Sequence, residues 1–191
     1  QRTTLERSRL EIAFAAREEA RGGRHALRFL MPVTSDWLLD GTEMDWLLAT
    51  MGRRQLAGGG FTFELTGAEL LDHREALNAP IARLRDAGVR FGLSDYGRDF
   101  AAVHVLTQLP VDVLRLDAEL LDATASANST SPTLIALVRK AHQLGAMVVA
   151  PGMNTLEHAH IFMRLGIDYG VGNAFGPALA QPEFDFNRPL W

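Results

Sequence analysis

A chain of 191 residues is long enough for one sizeable domain and short for two. Its 47% hydrophobic content supports a large core, and a formal net charge of −4 argues against a dedicated binder of nucleic-acid backbones. The absence of cysteine removes disulfides and thiolate metal sites and fits a reducing, cytoplasmic setting, and no apolar run approaches the roughly 18–20 residues of a membrane span.

The first predicted element is a helix over residues 4–20, with Leu5, Leu10, Ile12, Ala13 and Ala16 largely on one side and Arg21-Gly22-Gly23 ending it. The apolar run from Ala26 to Val33 has strand length. Ser35 and Asp36 can cap a helix over 36–54, with Trp37, Leu38, Trp46, Leu47 and Met51 facing a core. The turn Gly58-Gly59-Gly60 leads into a strand over Phe61–Leu65. Thr66 opens a long helix to Ala87, and Gly88 stands where a C-terminal capping glycine is expected. A strand over 89–93, a helix over 99–108, Pro110 and a strand over Val113–Leu116 follow. The polar stretch 124–132 reads as a loop. After it come a helix over 133–144, a strand over Ala146–Ala150, a helix over 155–165 and a short strand near 168–172.

Strands alternating with helices through short connections predict an α/β class with a parallel sheet. The strands are continuous apolar runs, as strands buried on both faces should be. The first strand–helix turn carries no G-x-G-x-x-G, which weakens a dinucleotide-binding reading, so a TIM-type barrel is favoured over an open sheet. A complete barrel takes roughly 250 residues, so the chain is expected to be short by a front unit.

In a parallel barrel the chemistry gathers at the C-terminal strand ends. Those ends carry Pro32, Glu64, Ser94-Asp95, Arg115 with Asp117, then Pro151, Met153 and Asn154, and finally Val171-Gly172. Glu64, Asp95 and Asp117 are carboxylates at three separate ends and suggest one polar pocket. A divalent cation needs several hard oxygen donors. Glu64 and Asp95 could be two, but Pro32, Ser94 and Val171 are poor donors or none. The helix pair His158 and His160 points its rings apart at i, i+2. The tail over 183–191, with Phe184, Phe186 and Trp191, reads as a core lid in preference to a partner patch.

Four segments together resemble the EAL domain family of cyclic-di-GMP phosphodiesterases. They are FELTGAELL (63–71), FGLSDYGRDFAAVHVLTQLPVDVLRLD (91–117), VVAPGMNT (148–155) and LGIDYGVGNAFGPAL (165–179). The resemblance covers nearly the whole chain. It implies a single domain over 1–191 with a TIM-type (β/α) barrel lacking the N-terminal strand that carries the E-A-L motif. Glu75-Ala76-Leu77 spells that motif by chance in mid-helix.

The resemblance also implies which groups would act. In active members two cations are held by glutamates, an asparagine and an aspartate pair, and a lysine and a further glutamate help activate water. At the matching positions this chain keeps Glu64, Asp95 and Asp117 but has Pro32, Ser94, Pro151, Asn154 and Val171. Arg115 replaces the lysine; it keeps the charge but cannot give up its proton. The implied function is a catalytically inactive, non-enzymatic EAL domain serving as a cyclic-di-GMP receptor, with no metal and no other cofactor.

The implied ligand-binding residues are Glu64, Ser94, Asp95, Arg115, Asp117, Met153, Asn154, Phe175, Gly176 and Pro177. The start of the loop at Ala150-Pro151 is similar to that of degenerate EAL domains from twitching-motility regulators. By that likeness the implied partner is a PilZ-type signalling protein in type IV pilus or biofilm control, with no DNA, RNA or membrane insertion. The alternatives are a docking scaffold without nucleotide affinity and a weakly active phosphodiesterase.

Overall fold

The computed structural model describes residues 2–20, 27–56, 60–98, 109–121 and 131–177. The expected helix over 99–108, most of the 124–132 loop, the Arg21-Gly22-Gly23 stop and the 183–191 tail lie outside them. The chain divides into two compact units: Gln1–Leu65 with Asp72–Phe91, and Thr66–Leu71 with Gly92–Ala178.

In the first unit, α1 (Arg2–Glu19), β1 (Phe29–Pro32), α2 (Ser35–Leu39), α3 (Gly41–Arg53), β2 (Phe61–Thr66) but for its last residue, and α5 (Arg74–Asp86) follow in order; α4 (Gly67–Asp72), which comes between the last two along the chain, belongs but for Asp72 to the second. β1 and β2 pair in parallel, with Phe29 opposite Phe61 and Pro32 opposite Glu64. The helix expected over 36–54 is two helices, because Asp40 takes an extended conformation (φ −74, ψ 108) and serves both. It closes α2, and its carboxylate accepts the Thr42 and Glu43 amides at 2.8 and 3.3 Å, satisfying the first orphan donors of α3. The cap of α2 is Thr34 rather than Ser35 or Asp36; its hydroxyl accepts from the Trp37 amide.

The long helix expected from Thr66 is also divided, at His73 (φ −121, ψ 19). Its opening is a reciprocal cap. Glu69 accepts from the Thr66 amide and hydroxyl at 3.1 and 2.8 Å, while the Thr66 hydroxyl accepts from the Glu69 amide at 3.2 Å.

Phe61, Phe63 and Leu65 are fully buried, and so are Thr62 and Glu64 between them. That pattern requires cover on both faces of the strand. Phe14 meets Phe61 edge-on at 5.3 Å, and Phe29 stacks on it at 5.4 Å. Phe14 and Phe61, both fully buried, each contribute about 1.5–3 kcal/mol by leaving water. The expected inner stripe of α1 is corrected here: Leu10, Ala13 and Phe14 are buried, whereas Leu5 and Ile12 are 61% and 63% exposed. Leu5 and Ile12 are one heptad apart and share a different stripe from the 10/13/14 set, so they cannot face the same core.

What turns α1 onto α3 is a buried carboxylate. Glu43 accepts from Arg7 Nε and Nη2 at 2.7 Å each and from Trp37 Nε1 at 3.1 Å. The same guanidinium lies 4.7 Å over the Trp46 ring. Its hydrogen bonds to Glu43 raise Arg7 above its ordinary value, and the nearby charges of Glu43 and Asp40 add to that.

In the second unit the greater part of β3 (Arg90–Tyr96) pairs in parallel with β4 (Val113–Leu116), β4 with β5 (Met147–Ala150), and β5 with β6 (Tyr169–Gly170). The returns are helices: α6 (Pro132–Gln143), capped by the Ser131 hydroxyl, and α7 (Leu156–Arg164), capped by Thr155. Leu114, Leu134, Val148 and Phe162 are buried between the layers. Parallel pairs with helical returns bear out the expected α/β, TIM-type (β/α) architecture. Among the described residues no helix is long and apolar enough to cross a membrane.

Replacing Glu43 by Ala leaves the buried Trp37 indole N–H without its acceptor, which costs about 1–3 kcal/mol. A urea unfolding midpoint for Glu43→Ala below that of the parent checks it; an unchanged midpoint contradicts the role given to Glu43.

Candidate functional site

Nine of the ten residues singled out in the sequence fall in the second unit, at the C-terminal ends of its strands. The tenth, Glu64, belongs to the first unit. There it is 1% exposed near the end of β2, in register with Pro32, and its carbonyl accepts from the Val33 amide at 3.0 Å.

The motif Ser94-Asp95-Tyr96 is still strand, contrary to the expectation that β3 ends at residue 93. The ladder shifts between Leu93 and Tyr96, and Tyr96 then pairs with Leu116. The shift turns the chain through Asp95, which takes φ +56, a left-handed conformation uncommon for a residue with a Cβ. Gly97 follows at φ +97, and the Arg98 amide donates to the Asp95 carbonyl at 3.1 Å, closing a turn. Such an outlier at a strand end marks a place where the backbone is held for a purpose other than stability.

Tyr96 anchors this turn from below. It is fully buried, and its hydroxyl donates to the Leu137 carbonyl at 3.4 Å. Burial pushes its phenol from 10.0 up to about 12.

Asp117, one residue beyond β4, is held by its backbone and by both carboxylate oxygens. Its amide donates to the Tyr96 carbonyl at 3.0 Å, and its Oδ1 accepts from the Glu119 amide at 2.9 Å. Its Oδ2 takes Arg98 Nε at 2.8 Å. The carboxylate is 4% exposed, whereas Arg98 is 59% exposed and also approaches Glu119 at 3.6 Å. Arg115 lies within β4, half-buried, two positions before it.

The ends of β5 and β6 are knitted by backbone. The Met153 amide donates to the Val171 carbonyl at 3.0 Å, the Ala174 amide to the Met153 carbonyl at 2.9 Å, and the Asn173 amide to Asn154 Oδ1 at 3.4 Å. Two glycines permit this. A Cβ on Gly170 would meet Met153 Sδ at 2.1 Å and the Phe175 ring at 2.8 Å, and one on Gly172 would meet the Met153 carbonyl oxygen at 2.3 Å. Met153 is buried, Phe175 half-buried, and Gly176 and Pro177 are exposed at the rim. The sequence reading missed Arg98; its signal was a basic residue in the turn of the strand paired with the one that ends at Asp117.

Metal coordination needs carboxylate oxygens with lone pairs to spare. Among the described residues no group of three or more His, Asp or Glu side chains could hold a metal ion. Both oxygens of Asp117 are already engaged, and Asn154 Oδ1 accepts a backbone amide. The described donors of this unit do not fit a divalent cation.

The family model described as "EAL domain" matches residues 1–178. The "Probable cyclic di-GMP phosphodiesterase PdeB" of Escherichia coli strain K12 is 33% identical over 122 residues, 63% of this chain and 22% of that protein. The chain spans between 16 and 23% of the length of the first curated relatives it matches. The Xanthomonas citri FimX EAL domain in complex with c-diGMP superposes with a TM-score of 0.85 at 18% identity, covering 95% of this chain and 73% of that one. Klebsiella pneumoniae BlrP1, in a manganese/cy-diGMP complex, gives 0.78 at 22% identity over 92% and 44% of the two chains. These likenesses confirm the fold.

They also correct one expectation. The expectation of a non-enzyme is overturned by the match to a relative named as a probable cyclic di-GMP phosphodiesterase. Pro32, Ser94, Pro151 and Asn154 are differences at single positions, and Glu64, Asp95 and Asp117 are retained.

Two outcomes follow from the turn at β3. Asp95→Gly relieves the left-handed Cβ strain and stabilises the fold by about 1 kcal/mol, read as a higher urea midpoint; a lower midpoint contradicts it. The second concerns alkali. Because the folded Tyr96 phenol keeps its proton above the ordinary 10.0, its contribution to stability is complete below that pH and is lost as pH rises towards 12. Unfolding midpoints of the parent should fall across this window and those of Tyr96→Phe should fall less; parallel curves contradict it.

Proposed function

This chain belongs to the EAL domain family, and from that premise we propose that it recognises cyclic di-GMP at the C-terminal strand ends of its second unit and hydrolyses it slowly. The observation that carries the reading is the convergence of Ser94, Asp95, Arg115, Asp117, Met153, Asn154 and Phe175 on the ends of four successively paired strands. That is where a parallel α/β architecture puts its ligands.

The chemistry of the set suits a cyclic dinucleotide. Arg115 offers a permanent charge and forked donors to a phosphodiester. Asp95 can accept from a guanine edge, and Asn154 offers an amide. The half-buried Phe175 ring, backed by the buried Met153, presents the apolar surface on which a base stacks, worth about 1–3 kcal/mol per base. Gly176 and Pro177 complete that rim. The names of PdeB and of the FimX and BlrP1 complexes support this choice of ligand.

Slowness follows from the same residues. Arg115 stands where the resemblance places a lysine, and it cannot act as a base. Loss of a positioned acid–base group depresses turnover by about 10²–10⁴-fold. Relay to a protein partner, with a PilZ-type domain as the candidate, belongs to the same proposal and draws its support from the sequence resemblance.

Calorimetric titration of cyclic di-GMP, with chromatography of the mixture after long incubation, tests the reading. Saturable heat with slow linear product is expected, and Phe175→Ala weakens binding by about 1–3 kcal/mol. Absence of heat contradicts the recognition half; binding without any product contradicts the hydrolytic half.

A further inference from the structure

Arg7 and Arg98 both pair with buried carboxylates, but they are used differently. Arg7 meets Glu43 fork to fork, with Nε and Nη2 each donating at 2.7 Å to a separate oxygen. Arg98 meets Asp117 through Nε alone, at 2.8 Å on Oδ2, because the Glu119 amide already holds Oδ1 at 2.9 Å. Its Nη2 approaches Glu119 only at 3.6 Å, longer than a hydrogen bond, and that carboxylate is 85% exposed, so the contact is readily given up. Among the described residues the Nη1–Nη2 edge of Arg98 therefore carries no close hydrogen bond, on a side chain that is 59% exposed. That edge has the forked geometry that matches a phosphate.

The fold fixes where this edge stands. The Arg98 amide donates to the Asp95 carbonyl, and the Asp117 amide donates to the Tyr96 carbonyl, so backbone bonds tie both partners of the ion pair to the end of β3. β3 pairs with β4, which carries the half-buried Arg115 two positions before Asp117, the spacing that places side chains on one side of an extended chain. Arg98 and Arg115 thus border one strand-end face from adjacent strands, about 4.8 Å apart in backbone. Asp95 and Asp117 balance their charges, so a ligand is recognised there by fixed donors and not by net positive charge. Asp117 also immobilises Arg98 in advance, which lowers the side-chain entropy that binding would otherwise cost.

We propose that Arg98, held by Asp117, donates its Nη1–Nη2 edge to the second phosphodiester of cyclic di-GMP, while Arg115 takes the first. This rests on the function proposed above, which places one phosphate at Arg115 and a base on Phe175 and leaves the other phosphate without a donor. Arg98 is then a binding residue in its own right, and neutralising Asp117 is what positions it.

The test is calorimetric titration of cyclic di-GMP into the whole chain, with phosphorus-31 magnetic resonance of the saturated complexes. The parent is compared with Arg98→Gln, which keeps an N–H for Asp117 but loses the charged fork, and with Arg98→Ala. Far-ultraviolet circular dichroism verifies the fold of each. Affinity is expected to fall about 10- to 100-fold in both variants, the loss of a charge-assisted pair. The phosphates of the free ligand are equivalent by symmetry; in the parent complex they should give two signals, of which Arg98→Gln moves one and leaves the other. Parent-like affinity in Arg98→Gln overturns this proposal and leaves the proposed function standing. Weakened affinity with both phosphorus signals unmoved also overturns it, since Arg98 would then act only through Asp117. Absence of heat with the parent overturns both.

Discussion

Parallel pairing is the constraint from which the rest follows. Every described strand pair in this chain is parallel, and parallel neighbours cannot be joined by a tight turn. Each strand must be carried back by a helix lying over the sheet. Two consequences follow. Strands covered on both faces become continuous apolar runs, as in Phe61–Leu65. Polar residues are then admitted chiefly where strands end, and in the second unit those ends collect Ser94, Asp95, Arg115, Asp117 and Asn154.

At those ends the local chemistry trades stability for display. Asp95 is held left-handed, Gly170 and Gly172 give up side chains so that Met153 can close in, and Asp117 is buried as a carboxylate. Each choice costs folding free energy and is offset nearby. Tyr96 and the Asp117 amide hold the turn, and Arg98 supplies the charge that makes the burial of Asp117 tolerable.

The architecture was legible in the sequence because apolar runs and capping residues repeat along the chain. β2, β4, β5, α6 and α7 fall within a residue or two of where the pattern puts them. The breaks at Asp40 and His73 were not legible, since hydrophobic period continues through them and only the cap geometry reveals the stop. The stripe of α1 was misjudged because Leu5 and Ile12 are apolar and yet lie on the wrong side of Phe14. Strand β3 runs three residues further than its apolar letters, since the Tyr96–Leu116 pairing, a contact distant in sequence, extends the ladder past Ser94. For the site, motif spacing identified the family and the strand-end residues, but the link from Arg98 to Asp117 depends on register and could not be counted along the chain. Substitutions at Ser94 and Arg115 suggest loss of enzymatic identity, which the likeness to a probable cyclic di-GMP phosphodiesterase over 63% of the chain does not support.

The account turns on where a cyclic dinucleotide binds, and a crystal structure of the chain grown with cyclic di-GMP measures that most directly. Density for a guanine against Phe175, with a phosphate at Arg115, is the predicted result. A fully occupied nucleotide elsewhere, such as the groove of α1 lined by Arg7, Ser8 and Trp46, would contradict it.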